Sequence, residues 1–351
     1  MPPLRVVNAV APTRVCDIGG WTDTWFAGRG KVLNLAVHPS VEVQLEVHPR
    51  EGSAGQVVLD VEDAGDRYAF SPSPSSGEAL PGRHPLLEAA VDEVGVPGDV
   101  AVRIGIHSDA PMGASTGTSA AVVVALVGAL DAVRGRRRSP REVASEAHRI
   151  EVERLALQSG VQDQLCSASG GICFIEVDEY PRATVTRLGV PDPFWWELDR
   201  RLLLVFLGPH RSSAVHQRVI AELEAAEDAS TALPALRAMA ERARDAVCAG
   251  DLPAFGRAMT ANTELQADLA PGLVSAEARA VIDVARAHGA LGWKVNGAGG
   301  EGGSVTVLCG HDRTGKRRLA GALDDVDPRF RGIPISLSRT GLRVWEAPGV
   351  A

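Results

Sequence analysis

The sequence has few aromatic residues, few cysteines and no long apolar run. Only 4% of its 351 residues are aromatic, so a stretch that concentrates them is informative. Its five cysteines are odd in number and scattered, without a CxxC pair. They therefore support neither a disulfide framework nor a zinc site, and we expect reduced thiols in the core. Without eighteen consecutive apolar residues, no transmembrane helix is predicted.

A signal peptide and a basic charge excess are also missing. MPPLRVVNAVAP has no charged start, long apolar middle or small-residue cleavage site, so we expect a cytoplasmic protein. The net charge of −8 argues against nucleic acid as the main partner. We interpret the basic cluster at 134–141 as a solvated loop between helices. The composition, 45% hydrophobic and 23% charged, is typical of a globular protein with room for two domains.

Residues 109–121, DAPMGASTGTSAA, precede an apolar run that has the length of a buried helix. Gly113, Ser115, Gly117 and Ser119 leave backbone amides uncovered where a loop enters a helix. Unpaired amides and the positive end of a helix dipole attract an anion, most usefully a phosphate. A flexible Gly/Ser connector before a core helix is the alternative, and this stretch alone leaves it open.

The segment GGWTDTWFAGRG at 19–30 holds two tryptophans, a phenylalanine and Asp23. Such a loop suits a sugar, because apolar ring faces stack on indole while a carboxylate accepts hydrogen bonds from hydroxyls. The alternative is that the aromatics close an edge of the core and Asp23 makes an Asx turn. The local sequence does not decide between them.

A helix is predicted to start at SPRE. Ser139 is the expected N-cap, Pro140 takes the first helical position, and Glu142 stands three residues after the cap. This pattern is a capping box. We expect the helix to extend to about Gln158.

Two acidic residues, Glu151 and Glu153, fall in the last turns of that helix, and Asp163 follows. Acidic groups near a helix C-terminus oppose the dipole. A bound cation would compensate for this, and so would pairing with Arg149 or Arg154.

The remaining pattern is mixed strand and helix. Valine-rich runs at 5–48 and an alternating run at 99–108 predict strands, the polar stretch 50–85 predicts loops and edge strands, and a final helix and strand close the chain. Long helices are predicted at about 212–248, 251–269 and 275–289.

The glycine-rich stretch 297–302, GAGGEG, matches a dinucleotide fingerprint. A strand signal follows it where the fingerprint requires a helix, so a Rossmann dehydrogenase is disfavoured. No glycine-lysine-Ser/Thr triplet ends the loop at 113–119, which disfavours a P-loop.

Three segments in this order resemble the motifs of the GHMP kinases, the family of galactokinase, homoserine kinase and mevalonate kinase. They are APTRVCDIGGWTDT at 11–24, the loop at 109–121, and KVNGAGGEGGS at 294–304. The resemblance implies an α+β, two-domain GHMP kinase fold. Its N-terminal domain, ribosomal protein S5 domain 2-like, would cover 1–190, and an α/β C-terminal domain would cover 191–351. GGWTD is similar to L-fucokinase-like sugar kinases, and IEVERLALQSGVQDQ to galactokinases and heptose 7-phosphate kinases.

The resemblance implies ATP and Mg²⁺ as cofactors and gives roles to individual residues. Asp163 matches the catalytic aspartate, Arg14 the arginine beside it, and Ser119 and Glu151 the magnesium ligands. The phosphate-binding residues would be Pro111, Gly113, Ser115, Gly117, Thr118 and Ser119. The substrate-binding residues would be Gly20, Trp21, Asp23 and Gly299, with Gly297 and Gly300 also in the third motif.

Some positions depart from the family pattern. Ser115 and Thr116 stand where GLG is usual, Glu301 replaces a common glycine, and Trp21 replaces the histidine of galactokinases. We expect the Ser115 side chain to narrow the phosphate cradle and Glu301 to add negative charge near it, and Trp21 argues against galactose.

The predicted activity is phosphorylation of the anomeric hydroxyl of a sugar or sugar phosphate. We expect the enzyme to be a monomer or a homodimer. A kinase of a non-sugar alcohol, a decarboxylase of the same family, and a non-catalytic sugar- and ATP-binding regulator are the alternatives.

Overall fold

The computed structural model describes residues 2–50, 56–72, 82–210, 215, 217, 219–221, 229–310 and 314–348. Thirteen strands in this part of the chain form two sheets. Alternating apolar residues give each sheet a face that must be buried, so helices cover both sheets. No helix in these ranges is both long and apolar enough to cross a membrane.

The larger sheet has nine strands. In chain order they are β1 (Arg5–Ile18), β2 (Gly30–Pro49), β3 (Val57–Val61), β4 (Asp66–Phe70), β5 (Val100–Ser108), β6 (Ile172–Glu179), β7 (Arg182–Arg187), β12 (Ser336–Leu337) and β13 (Arg343–Pro348). The main order is β13-β1-β2-β5-β3-β4, while β6 and β12 pair with β2 and β7 pairs with β6. The smaller sheet has the order β11-β8-β10-β9, formed by β8 (Leu202–Gly208), β9 (Gly292–Val295), β10 (Gly303–Leu308) and β11 (Arg331–Ile333).

The hairpin of β1 and β2 is the longest pairing in the molecule. The separate valine-rich runs of the sequence join into two continuous strands, with register shifts after Pro12 and after Val15. One edge of β2 pairs with β1, and its other edge is shared by β6, β12 and β5. These shifts bend β1 just where it carries Arg14.

Nine α-helices have bounds within the described ranges. They are α1 (Pro85–Val94), α2 (Thr118–Val133), α3 (Pro140–Arg149), α4 (Gln162–Ser169), α5 (Asp192–Arg201), α6 (Ala229–Ala249), α7 (Leu252–Leu269), α8 (Ala276–Ala287) and α9 (Gly315–Val326). α2 is apolar on all sides and buried, as its sequence predicts. Helices α6 to α8 match the predicted alanine-rich helices, except that much of 211–228 lies outside the described residues.

The molecule is layered. Helices α1 to α4 pack on one face of the large sheet. The other face carries Leu33 and Leu35, which pack with Phe255 of α7 and with β8 of the small sheet. Helices α8 and α9 cover the far side of the small sheet. The motif-bearing β1 is therefore held between two hydrophobic cores.

Chain order does not separate the two sheets cleanly. β8 to β11 form the small sheet, but β12 and β13 return to the large one, where Val10 faces Arg343. The domain boundary between residues 190 and 191 stays a proposal, and it applies only to the part of the chain before β12.

The capping box at Ser139 is confirmed, but the length predicted for its helix is wrong. α3 ends at Arg149, and the backbone widens into a π-helical turn over Ile150–Arg154. The amide of Leu157 bonds the carbonyl of Glu151, and Ala156 takes a φ of 51°. The wider turn places Glu151 inside the protein, while Glu153 stays exposed.

The cysteine prediction is correct for four residues. Cys16, Cys166, Cys173 and Cys309 are buried and free, whereas Cys248 is free but exposed. Cys248 lies near the C-terminal end of α6, and its exposure differs from the predicted core location.

The capping box gives a stability prediction. Ser139 Oγ accepts from the Glu142 amide at 3.3 Å, and the Ser139 amide donates to Glu142 Oε2 at 2.7 Å. Ser139→Ala should lower the free energy of unfolding by about 1 kcal/mol, measured by urea denaturation. Arg141→Ala, an exposed change in the same turn, is the control. Equal urea midpoints for both variants would contradict the prediction.

Candidate active site

The loop at 113–119, called here the phosphate loop, has a backbone suited to an anion. Gly113, Ser115 and Gly117 have φ values of 74°, 56° and 68°. Ser115 is thus a non-glycine residue in the left-handed region, where a side chain costs conformational energy. Gly117 precedes the first residue of α2, so the loop ends at a helix N-terminus.

Each carbonyl of residues 113–116 is held by another part of the chain. The donors, in order, are the His210 amide, the Ser304 hydroxyl, the Arg14 guanidinium and the Arg14 amide. With its carbonyls held in this way, the loop keeps a fixed conformation. The amides from Ser115 to Ala120 have no acceptor among the described residues.

Those free amides form a candidate site for an anion. The dipole of α2 adds a partial positive charge at the same place. Pro111 accepts from the Ala114 amide and so shapes the entry to the loop. Thr118 contacts the Thr116 hydroxyl at 3.1 Å, and Ser119 is exposed in the first turn of α2. The flexible-connector alternative is inconsistent with a loop held at four successive carbonyls.

Arg14 and Asp163 form a two-point ion pair beside this loop. Arg14 Nε lies 2.7 Å from Asp163 Oδ1, and Nη2 lies 3.1 Å from Oδ2. Burial alone would lower the pKa of Arg14, but Asp163 and Asp17 outweigh it and raise that pKa. A Cβ on Gly117 would lie 3.1 Å from Asp163 Oδ2, so glycine permits this close approach. The Asp163 side chain keeps 26% exposure, which leaves it accessible to a substrate.

Glu151 is buried beside this pair. Its Oε2 accepts from Gln164 Nε2 at 2.8 Å, and its Oε1 is buried without a partner in the described structure. Burial raises the pKa of Glu151 to about 7. Glu153 instead pairs with Arg149 at 3.6 Å, and Arg154 pairs with a glutamate of α1. Of the alternatives left open by the sequence, pairing with arginine holds for Glu153 and not for Glu151.

These donors fit a magnesium ion. Mg²⁺ in nucleotide sites is held by one or two protein groups plus phosphate oxygens. A buried carboxylate oxygen without a partner, together with a hydroxyl such as that of Ser119, matches that donor set. Over the described ranges, no cluster of three or more His, Cys, Asp or Glu side chains could hold a metal ion by itself. A site completed by phosphate is consistent with both observations.

The turn at 19–29, called here the aromatic turn, connects β1 to β2. Asp23 is 1% exposed and accepts from the Gln162 amide at 3.0 Å and from Gln162 Nε2 at 3.3 Å. α4 has no capping side chain of its own, so Asp23 caps it from a distant segment. The Asx-turn alternative does not describe these contacts. Burial raises the pKa of Asp23 to about 6.

The rings of the aromatic turn have different surroundings. Trp21 is buried, has a φ of 75°, and packs with Leu236 and Leu273. Trp25 is partly exposed and meets Phe26 edge-on at 5.2 Å. A Cβ on Gly20 would lie 2.8 Å from Asp17 Oδ2. Trp21 thus closes a core edge, and Trp25, which sequence reasoning did not select, is the ring open to a ligand.

The segment 297–303, called here the third loop, joins β9 to β10 and contacts the phosphate loop. A Cβ on Gly297 would lie 3.1 Å from Ser115 Cβ, and one on Gly299 would lie 2.2 Å from the Leu273 carbonyl. Glu301 is exposed, and its carbonyl contacts His210 Nδ1 at 3.0 Å. A strand follows the loop where a Rossmann dinucleotide-binding site requires a helix, so GAGGEG does not form such a site.

Sequence reasoning missed several buried polar residues of the site. Gln162 and Gln164 support Asp23 and Glu151, and Asp17 and Lys294 lie behind Arg14. A signal existed for the last two, since each is a charged residue within an apolar strand segment. The glutamines carry no such signal, because polar residues are common at the start of a helix.

Comparisons with known proteins agree with this arrangement. A model of the GHMP kinases N-terminal domain matches residues 85–171, and one of the GHMP kinases C-terminal domain matches 243–324. A mevalonate kinase of Pyrococcus furiosus is 28% identical over 71% of this chain and 70% of its own length. A D-glycero-alpha-D-manno-heptose 7-phosphate kinase of Campylobacter jejuni is 22% identical over 98% of this chain and 100% of its own length. The solved structure of a D-glycero-D-manno-heptose 1-phosphate kinase from Bacteroides thetaiotaomicron superposes with a TM-score of 0.74 at 21% identity, covering 97% and 98% of the two chains.

The pKa of Glu151 gives a testable pH dependence. With a folded pKa of about 7 against an ordinary 4.5, ionisation of Glu151 disfavours the folded state. The cost is absent below pH 4.5, grows up to pH 7 and then stays constant at roughly 3 kcal/mol. Without metal, Glu151→Gln should therefore raise the Tm by several degrees at pH 8 and leave it unchanged at pH 4.5.

Magnesium and nucleotide provide the control for this measurement. Mg²⁺ with a non-hydrolysable ATP analogue should stabilise the wild-type protein more than Glu151→Gln, because only the carboxylate gains an ionic ligand. Equal Tm values for the two proteins at pH 8 without metal would contradict the pH prediction.

Proposed function

The chain belongs to the GHMP kinase family and has its two-domain fold, and we propose that this small-molecule kinase transfers the γ-phosphoryl group of ATP to a sugar or a sugar phosphate. The proposed acceptor is the anomeric hydroxyl. The observation that carries the proposal is the Arg14–Asp163 pair, which lies against the phosphate loop. A carboxylate and a fixed cation held against the phosphate loop suit the point where a phosphoryl group and an acceptor would meet.

The phosphate loop supplies the nucleotide site. The free amides between Ser115 and Ala120 and the N-terminus of α2 would bind the phosphates of ATP. Glu151 and Ser119 would hold Mg²⁺, which when bound would offset the charge of the phosphate oxygens. The Ser115 side chain packs toward Gly297 and Gly303 of the third loop, and Glu301 is exposed.

Asp163 would accept the proton of the acceptor hydroxyl. Arg14 fixes both carboxylate oxygens of Asp163 and holds the Ser115 carbonyl, so the base and the phosphate loop share one support. The guanidinium also places positive charge close to the transferred group. Asp23, through its contacts with Gln162, sets the helix on which Asp163 lies.

The aromatic turn favours a sugar as acceptor. Trp25 offers a partly exposed ring for stacking on a sugar face. Asp23, Gly20 and Gly299 stay proposed substrate-binding residues on the motif resemblance, although all three are buried in this structure. The heptose kinase that matches nearly the whole chain supports this choice.

A kinase of a non-sugar alcohol is the second candidate. The observation in its favour is the 28% identity with the mevalonate kinase of Pyrococcus furiosus over 71% of the chain. The two candidates differ in whether Trp25 contributes to binding. A sugar has a ring face that can stack on Trp25, whereas mevalonate, a branched-chain acid, has none.

An acceptor panel separates the two candidates. ADP release with ATP and Mg²⁺ is measured for L-fucose, D-galactose, D-glucuronate, a heptose 7-phosphate and mevalonate. We expect turnover with a sugar or sugar phosphate, reduced about tenfold in Trp25→Ala through loss of stacking. Turnover with mevalonate alone would contradict the sugar proposal.

Asp163→Asn tests the assigned base. The amide keeps the size of the side chain but cannot accept the proton, so kcat should fall about 10²- to 10⁴-fold. Glu179→Gln, an exposed change at the end of β6, is the control. A kcat for Asp163→Asn within threefold of wild type would remove Asp163 from this role.

Location and assembly complete the proposal. We place the enzyme in the cytoplasm, as a monomer or homodimer without nucleic-acid or membrane partners. Sedimentation and cell fractionation measure these properties directly.

A further inference from the structure

Four residues behind the Arg14–Asp163 pair close a ring of polar contacts, called here the Gly297 ring. Asp17 lies on β1, Gln266 on α7, Lys294 on β9 and Gly297 at the start of the third loop. Lys294 Nζ lies 3.4 Å from Asp17 Oδ2 and 3.0 Å from Gln266 Oε1. The Gly297 amide donates to Asp17 Oδ1 at 3.0 Å, and the Gly297 carbonyl accepts from Gln266 Nε2 at 3.2 Å. Both backbone polar groups of Gly297 are therefore fixed by side chains that Lys294 joins.

The ring is buried and carries charge. Asp17, Lys294 and Gln266 are each 1% exposed. Burial lowers the pKa of Lys294, and Asp17 opposes that change. Apolar residues of similar size can replace buried ion pairs at no loss of stability. Stability alone thus does not account for a lysine and an aspartate here.

The ring reaches the catalytic pair by two routes. Arg14 Nη1 lies 4.0 Å from Asp17 Oδ1, and the same guanidinium binds Asp163 and the Ser115 carbonyl. Gly297 itself packs against Ser115 of the phosphate loop. A displacement of the ring would therefore move both the base and the phosphate loop.

We propose that Asp17, Lys294 and Gln266 are positioning residues. They fix the third loop against the phosphate loop and hold the Arg14 side chain in place beside Asp163. None of the three contacts the reacting atoms. The inference rests on the proposed phosphoryl transfer for its effect on turnover, and on the ring geometry alone for its effect on the third loop.

A pair of variants at the ion pair separates positioning from stability. Lys294→Met leaves the buried Asp17 charge with the Arg14 guanidinium, at 4.0 Å, as its remaining ionic partner, so the Tm should fall by roughly 10 °C. The double variant Asp17→Asn, Lys294→Met removes both charges and should recover most of that loss. Its kcat should nevertheless stay about 10- to 100-fold below wild type, with the KM for ATP within threefold, because small misplacements of reacting groups are costly. Recovery of wild-type kcat together with the Tm would overturn the proposal.

Gln266→Met provides a test that keeps the ion pair, in case the double variant does not fold. It removes the contact with the Gly297 carbonyl and fills the space with an apolar chain. Glu264→Gln, an exposed change on the same helix, is the matched control. Hydrogen exchange in peptides covering 297–303 and 113–117 should be faster in Gln266→Met, and kcat should fall about tenfold. Exchange and kcat equal to those of the control would overturn the proposal.

The exchange measurement also keeps this inference distinct from the proposed function. A wild-type protein that phosphorylates no acceptor would refute the kinase activity, but exchange in Gln266→Met would still decide the ring. Faster exchange in both loops supports it, and unchanged exchange overturns it. Conversely, wild-type turnover in Asp163→Asn would remove the assigned base without altering the exchange result.

Discussion

One buried guanidinium holds the candidate site together. Arg14 binds Asp163 at two points and the Ser115 carbonyl at a third, while its own amide holds the carbonyl of Thr116. A planar group with five donors suits this task, and a lysine would not, since it offers a point charge without a fixed fork. Asp163, the phosphate loop and β1 thus share a single support. All three keep their positions only while the Arg14 guanidinium stays buried. The carboxylates of Asp163 and Asp17 offset the cost of burying that charge.

The β1–β2 hairpin keeps the aromatic turn and the candidate site in a fixed relation to each other. The aromatic turn is the connection of the hairpin whose first strand carries Arg14. Thr22 closes the turn with its hydroxyl, donating to the Gly19 carbonyl and accepting from the Lys31 amide. Gly30 is required there, because a Cβ would lie 2.1 Å from the Thr22 carbonyl. The partly exposed side chain of Trp25 can therefore change without moving Arg14.

The sequence predicts local features of this protein better than its long-range contacts. The helix after the phosphate loop, the capping box at Ser139 and the strand after GAGGEG follow from nearby residues, and the structure has all three. The early end of α3 does not follow, because a π-helical turn reflects the burial of Glu151 and not a local breaker. The capping of α4 by Asp23 and the Gly297 ring join residues far apart in the chain, which periodicity cannot detect. The roles of the individual site residues stay predictions until the variants are measured.

The return of β13 to the large sheet affects how the protein is made. β1 leaves the ribosome before Arg343–Pro348, the segment that pairs with its outer edge. Until that partner appears, β1 presents an unpaired edge of the kind that promotes wrong pairing and aggregation. The strand that holds Arg14 thus gains its second neighbour only after β13 has been made, and a chain interrupted before β13 would leave β1 open at one side.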